Sequence, residues 1–321
     1  MTDQAAAPKA DVVFSASMHL RLLLRVDRTE SIRRALRTAI RPGARVLDAG
    51  CGSGLLSFLG IEAGAAEVVA VDRDNIDLAK ALARENGMAD RIRFIEADLA
   101  TLEDPSLGKF DALLAFVYSN HIVVDEPRSR MVAGLRHRFG KPDAVTVPDR
   151  VRYWAIPCDW PAQDGGTERA ELRQAVADIE NRYGLKLSAL EEAVAGELAF
   201  MRSRPKLYGD YKWQPGGGSA YRHARTGGRF LGERVLAAEI CYDRGEPFRH
   251  LPDSTAVAID AAGSLNAVLW VQELSFQDRL IWSAEAFSPV AIPPSVRAGD
   301  RLTLRLDEDW RATNLISVAP A

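Results

Sequence analysis

Apolar positions in the first half of the chain change period again and again. In "TESIRRALRTAI" they recur at helical spacing, with Thr29 placed as a cap. "ARVLDAG" is a short apolar run that predicts a buried strand, and "GLLSFLGIEAGA" returns to helical spacing. "AEVVAVDRD" predicts the next strand, and "NIDLAKALARENG" a helix closed by Gly87 just past its last turn. "RIRFIEAD" and "FDALLAF" read as a third and a fourth strand, and "EPRSRMVAGLRHRF" as the helix that follows, starting near Pro127. Strands alternating with helices of this length predict an α/β, Rossmann-like fold over residues 1–148: a doubly wound, mostly parallel sheet with N-terminal helices.

"GKPDAVTVPDRV" breaks the alternation with two prolines, and the pattern changes after it. "RVRYWAIP", "RVLAAEICYD", "STAVAIDAAG", "LNAVLWVQELSF", "DRLIWSAEAF" and "DRLTLRLDED" read as strands joined by turn-rich pieces. They predict a β-rich, barrel-like domain at 149–321, interrupted by a helical insert at about 166–202. No internal repeat is present, and the low-complexity element is the short "QPGGGSA". Around it, "YGDYKWQPGGGSAYRHARTGG" gathers Tyr208, Tyr211, Trp213 and Tyr221. Aromatic walls of that kind suit a lid over a cationic acceptor, and equally an ordinary surface loop.

Composition narrows the functions. With 321 residues, 47% apolar, 26% charged and a net charge of −3, nothing calls for a nucleic acid or an anionic membrane as partner. The basic clusters in "RTESIRRALRTAIR" and "RSRMVAGLRHRFGK" fall between apolar residues at helical spacing and read as solvated helix faces. Cys51, Cys158 and Cys241 are odd in number and far apart, which predicts neither a disulfide framework nor a metal site and fits a reducing cytoplasm. The first residues lack the basic start and apolar stretch of a signal peptide, and no run reaches the ~18 apolar residues of a membrane helix. The expectation is a soluble, cytoplasmic chain.

The chemistry concentrates in "RVLDAGCGSGLLSFLG". Asp48, Gly50, Gly52 and Gly54 stand on alternate positions between a strand and a helix, at the sheet edge where ligands bind in this architecture. Glycine lets backbone pass directly beneath a ligand. The spacing is not that of a dinucleotide fingerprint, whose third glycine would fall on Leu55, and no Gly-Lys-Ser/Thr follows to make a P-loop. Two further acids close strands, Asp72 and Asp98.

This Gly-x-Gly-x-Gly turn with its leading aspartate resembles motif I of the class I S-adenosylmethionine-dependent methyltransferases. A Rossmann-like domain with a β-rich domain behind it resembles, more narrowly, the protein arginine N-methyltransferases. "GCGSGLLSFLGIEAGAAEVVAVD", "FGKPDAVTVPDRV" and "FLGERVLAAEICYD" are similar to that family's motif I, barrel junction and a barrel strand pair. "LLLRVDRTESIRRAL" looks like its cofactor-covering helix, which puts Arg28 on the methionine carboxylate. The resemblance implies S-adenosylmethionine as cofactor, S-adenosylhomocysteine as product, and a cofactor set of Arg28, Asp48, Gly50, Cys51, Gly52, Gly54, Asp72, Arg73, Asp98 and Leu99. It also implies a homodimer, through the helical insert.

Catalysis in that family rests on two glutamates that orient the guanidinium, because arginine cannot be deprotonated by an ordinary base. Glu126 falls on the second, whereas the first would lie at Phe116 or Val117. The family's Thr-His-Trp loop falls near "RLIWSAEAF", where Ile281 replaces the histidine and Trp282 remains. "VYSNHIVVDE" offers Tyr118, Asn120 and His121 instead, and a neutral histidine there would accept a proton near pH 7. Three readings follow: methyl transfer to an arginine or guanidine-like group, free, in a peptide or on a protein, with Glu126 holding the cation; a small-molecule N- or O-methyltransferase with His121 or Tyr118 as base; and a non-catalytic, cofactor-binding regulator.

Overall fold

The computed structural model describes residues 16–74, 76–118, 122–159, 165–192, 195, 229–242, 252, 254–289, 294–305 and 314–319. Two helices, α1 (Ala16–Leu23) and α2 (Val26–Ala39), lead into a five-stranded sheet. Its strands are β1 (Arg45–Ala49), β2 (Glu67–Asp72), β3 (Ile92–Glu96), β4 (Phe110–Leu114) and β5 (Gly140–Val147). They lie in the order β3-β2-β1-β4-β5, and every pairing is parallel. The helices α3 (Leu55–Glu62), α4 (Ile76–Glu85) and α5 (Ile122–Phe139) connect them. The direction of winding reverses between β1 and β4, so the loops after these strands form the crevice where a ligand binds in such sheets.

Three local expectations are corrected. Thr29 is inside α2 rather than at its cap: the helix opens at Val26, a turn earlier, and the Thr29 amide donates to the Arg25 carbonyl at 3.1 Å. The helix expected from Pro127 starts at Ile122, with Pro127 near enough to its start to be tolerated. The proline-bearing junction is itself a strand, β5, whose register with β4 shifts between Phe110 and Ala112, and which ends at the cis Val147–Pro148 bond. Gly87 does close α4: at φ +66° it lets the Met88 amide reach the Ala83 carbonyl at 2.9 Å.

The rest of the described chain is antiparallel apart from α6 (Gly165–Tyr183), which falls within the expected insert. β6 (Arg150–Asp159) pairs with β7 (Arg229–Phe230), β8 (Val235–Cys241) and β11 (Ala267–Phe276), and β11 with β12 (Arg279–Pro289). β9 (Ser254–Ala258), β14 (Arg301–Arg305) and β15 (Asn314–Ala319) form a second sheet, and β10 (Gly263–Ser264) pairs with β13 (Ser295–Val296). Ala155, Leu231, Val257, Val268, Trp270, Leu302 and Leu304 pack between these sheets as one core. A different core joins the two halves: Phe110, Leu113, Val132 and Leu135 pack with Val151, Tyr153, Ile240 and Leu274. The aromatic stretch 208–228 lies outside the described residues.

Candidate active site

The turn after β1 is a backbone cradle. Gly50, Gly52 and Gly54 have φ of +82°, +54° and +82°, a region that side chains rarely adopt. A Cβ on Gly50 would lie 2.8 Å from Val117 Cγ1, and one on Gly52 would run into the His19 ring. The amides of Gly50 and Cys51 donate to the Val71 carbonyl at 2.8 and 3.1 Å, which ties the turn to β2. Asp72 tightens it further. One carboxylate oxygen accepts from the Gly52 amide at 2.7 Å and the other from the Asp74 amide at 3.0 Å. Each oxygen keeps a second lone pair, so the carboxylate still accommodates a pair of hydroxyl donors.

Asp48 is wholly buried beneath this turn. It accepts from the Ser57 hydroxyl at 2.6 Å, and its other oxygen has no hydrogen-bond partner among the described residues. Burial pushes its pKa up to about 7; the Ser57 bond opposes the rise and the nearby Asp72 charge adds to it. Cys51 is buried and its thiol is pushed far up, chiefly by burial, so it takes no part as a thiolate. Leu99 is buried with Cδ1 3.9 Å from where a Gly50 Cβ would stand. Asp98 is exposed and accepts from the Ala100 amide at 2.9 Å, and Arg73 reaches Asp74 at 3.5 Å. Leu99 and Asp72 thus flank the turn, and Arg73 is exposed.

The N-terminal helices cover the same edge. His19, on α1, packs over Gly52; burial lowers its pKa, with the Asp72 charge opposing. Arg28, on α2, is half-buried with its guanidinium 5.9 Å from the Phe116 ring centre and 6.0 Å from that of Trp282. Its pKa is lowered by burial and then by Arg25, and no acid pairs with it among the described residues. Arg25 stacks on Trp282 at 4.9 Å. Sequence reading missed His19 and Arg25 and took Phe116 only as the place of an absent glutamate, although Arg25 stands three residues before Arg28.

The structure divides the residues expected to act on the acceptor. Glu126 pairs with Arg130 at 3.0 Å along α5. Tyr118 shares a 2.5 Å hydroxyl–hydroxyl bond with Tyr242, and burial, reinforced by that neighbour, raises its pKa well above that of an ordinary phenol. A phenol so held is no base at neutral pH. Asn120 and His121 lie outside the described residues.

Asp125, beside Glu126, is the centre of a buried network. The Tyr153 hydroxyl donates to its Oδ2 at 3.0 Å and Gln272 Nε2 to the same atom at 2.7 Å. Arg128 Nη1 stands 3.5 Å from Oδ1 and donates to the Val117 carbonyl at 3.0 Å. Asp125, Tyr153 and Gln272 are essentially inaccessible, and they bolt α5 onto β6 and β11. The one sequence signal was Gln272, a polar residue inside the apolar run "AVLWVQELSF".

A glycine cradle that a methyl group would fill, a carboxylate set against it and a half-buried arginine without an acid partner together fit an adenosyl amino acid. Comparison with known proteins agrees. Residues 46–142 match the profile of a methyltransferase domain. The rice (Oryza sativa subsp. japonica) protein arginine N-methyltransferase PRMT10 is 30% identical over 161 residues, 48% of this chain and 42% of that protein. The ribosomal protein arginine N-methyltransferase rmt3 of Schizosaccharomyces pombe is 32% identical over 153 residues, 47% and 26% of the two chains. The ribosomal protein L11 methyltransferase of Symbiobacterium thermophilum is 34% identical over 141 residues, 41% and 44%. The match thus spans less than half the length of each of these relatives. In fold, the Arabidopsis thaliana protein arginine methyltransferase 10 structure superposes with a TM-score of 0.59 at 18% identity, over 95% of this chain and 97% of that one. A Trypanosoma brucei PRMT1 enzyme–prozyme heterotetramer with AdoHcy gives 0.58 at 16%, over 92% and 88%. Among the described residues no cluster could hold a metal ion, and no helix is long and apolar enough to cross a membrane. The chain therefore carries a class I S-adenosylmethionine-dependent methyltransferase domain, and it resembles the protein arginine methyltransferases.

Proposed function

We propose that this chain transfers a methyl group from S-adenosylmethionine to a nucleophilic acceptor and releases S-adenosylhomocysteine. The glycine turn fastened to Asp72 is the observation that carries this reading, because it combines close backbone approach with a carboxylate at the position of a ribose. When bound, the cofactor supplies an electrophilic methyl group on a sulfonium. The chain's own residues bind and align. Asp72 takes the ribose hydroxyls, Leu99 and Val117 wall the base and the loop, and Arg28 takes the carboxylate. Alignment inside a closed site, rather than acid–base chemistry, is then the main source of rate.

The names of the relatives make an arginine or guanidine-like group, free, in a peptide or on a protein, the first acceptor to test, with Glu126 as the residue that holds it. One observation favours a second reading, a small-molecule N- or O-acceptor: Glu126 is engaged by Arg130 and Asp125 by the barrel strands, so both acids that open α5 already have partners. Incubation with labelled cofactor and fractionated lysate, separating small molecules from macromolecules, decides between them. Under the first reading Glu126→Gln abolishes transfer; under the second His121→Ala does. Cofactor binding with no label transferred to any fraction would leave a regulator instead. We further infer a homodimer assembled through the helical insert, which sedimentation of the chain with and without residues 166–202 tests.

A further inference from the structure

The face that Arg25 and Arg28 make with Phe116 and Trp282 has the wrong charge for a guanidinium. It adjoins the glycine turn: Val117, next to Phe116, abuts Gly50, and His19, on the helix before Arg25, packs on Gly52. The two arginines approach the Trp282 ring to 4.9 and 6.0 Å, and neither has an ion-pair partner among the described residues. The nearby acids Asp125 and Glu126 are occupied by Arg128 and Arg130. An arginine stacked by its face still presents its edge, a planar fork of N–H donors that matches a carboxylate. If Arg28 grips the carboxylate of the bound cofactor, as the proposed function requires, Arg25 is left as an exposed cation stacked on Trp282, with no ion-pair partner among the described residues.

We propose that Arg25 is a specificity-determining residue and that the methyl acceptor carries a carboxylate beside an apolar or aromatic body, in place of a guanidinium. Arg25 forks onto the carboxylate while Trp282 and Phe116 take the apolar part. A cationic acceptor would meet Arg25 and the cofactor's sulfonium together, two like charges. This rests on the cofactor reading above, so the experiment measures the two separately.

Benzoate and benzamidine are close in shape and opposite in charge. Each is titrated calorimetrically into the protein saturated with S-adenosylhomocysteine, after the binding of S-adenosylhomocysteine itself has been measured. The expected result is benzoate binding at least about tenfold tighter than benzamidine, the advantage of a charge-assisted fork over a like-charge approach. Arg25→Met should abolish that preference and Arg25→Glu should reverse it. Equal or tighter binding of benzamidine overturns the proposal, as does binding of neither probe, or a preference that survives Arg25→Met. Failure of S-adenosylhomocysteine to bind the unmodified protein overturns the cofactor reading instead.

Discussion

Removing the Asp125 carboxylate tests how the two halves are held together. The side chain is inaccessible and accepts from Tyr153 and Gln272, both themselves buried, so Asp125→Ala leaves the Tyr153 hydroxyl and one Gln272 N–H without an acceptor, while the amide's other N–H keeps the Tyr153 oxygen at 3.1 Å. Each unmet buried donor costs about 1–3 kcal/mol, and the half-exposed Arg128 contact adds about 1 kcal/mol. The expected loss is therefore about 4 kcal/mol. Asp125→Asn is milder, because the amide oxygen can take the position of Oδ2 and still accept from both donors. What it loses is the charge opposite Arg128, a contact at 3.5 Å with a side chain 36% exposed, which is worth about 1 kcal/mol. Urea denaturation followed by tryptophan fluorescence at neutral pH measures both variants. A loss below about 1 kcal/mol for Asp125→Ala, or equal losses for the two variants, would refute the network as the bolt between α5 and the strands β6 and β11.

Three further outcomes are expected. Gly52→Ala puts a methyl group against the His19 ring at φ +54°; the fold loses only about 1–2 kcal/mol, since that ring is a side chain that can turn, but affinity for S-adenosylhomocysteine by calorimetry falls at least about tenfold. Asp48 has its pKa raised from 3.8 to about 7, so the native state holds its proton more tightly than the unfolded chain does. That contribution is complete below about pH 4 and is lost as pH rises to about 7, a total near 4 kcal/mol; the stability difference between the unmodified protein and Asp48→Asn should shift by that amount over this range, and parallel pH profiles would contradict the burial argument. Tyr242→Phe, which removes the partner of the Tyr118 hydroxyl, should lower stability by about 1–2 kcal/mol in thermal unfolding and leave the affinity for S-adenosylhomocysteine unchanged.

The glycine turn and its carboxylates were legible in the sequence because they are local. Asp48, the three glycines and Asp72 lie within 25 consecutive residues, and each is placed by the strand it ends or the turn it makes. The six strands expected beyond residue 149 all exist, since short runs of apolar and β-branched residues bounded by turn residues mark strands. β5 was hidden by Pro142 and a shifted register, features that argue against a strand unless its partner is known. The Asp125 network was hidden for a different reason: its members are separated by 28 and 147 residues, and only the packing of α5 against β6 and β11 brings them together. Asp125 and Glu126 are adjacent and diverge: Asp125 is buried, and Glu126 pairs with Arg130. Arg25 escaped notice because a basic residue on a helix ordinarily faces water, and its stack on Trp282 spans most of the chain.

Calorimetric titration of the unmodified protein with S-adenosylhomocysteine, with Asp72→Ala as the control, bears most directly on the central claim that the glycine turn and Asp72 hold an adenosyl amino acid. Saturable binding to one site, lost or weakened at least about tenfold in the Asp72 variant, is the expected result. No heat from the unmodified protein, or affinity that is indifferent to Asp72, would contradict it.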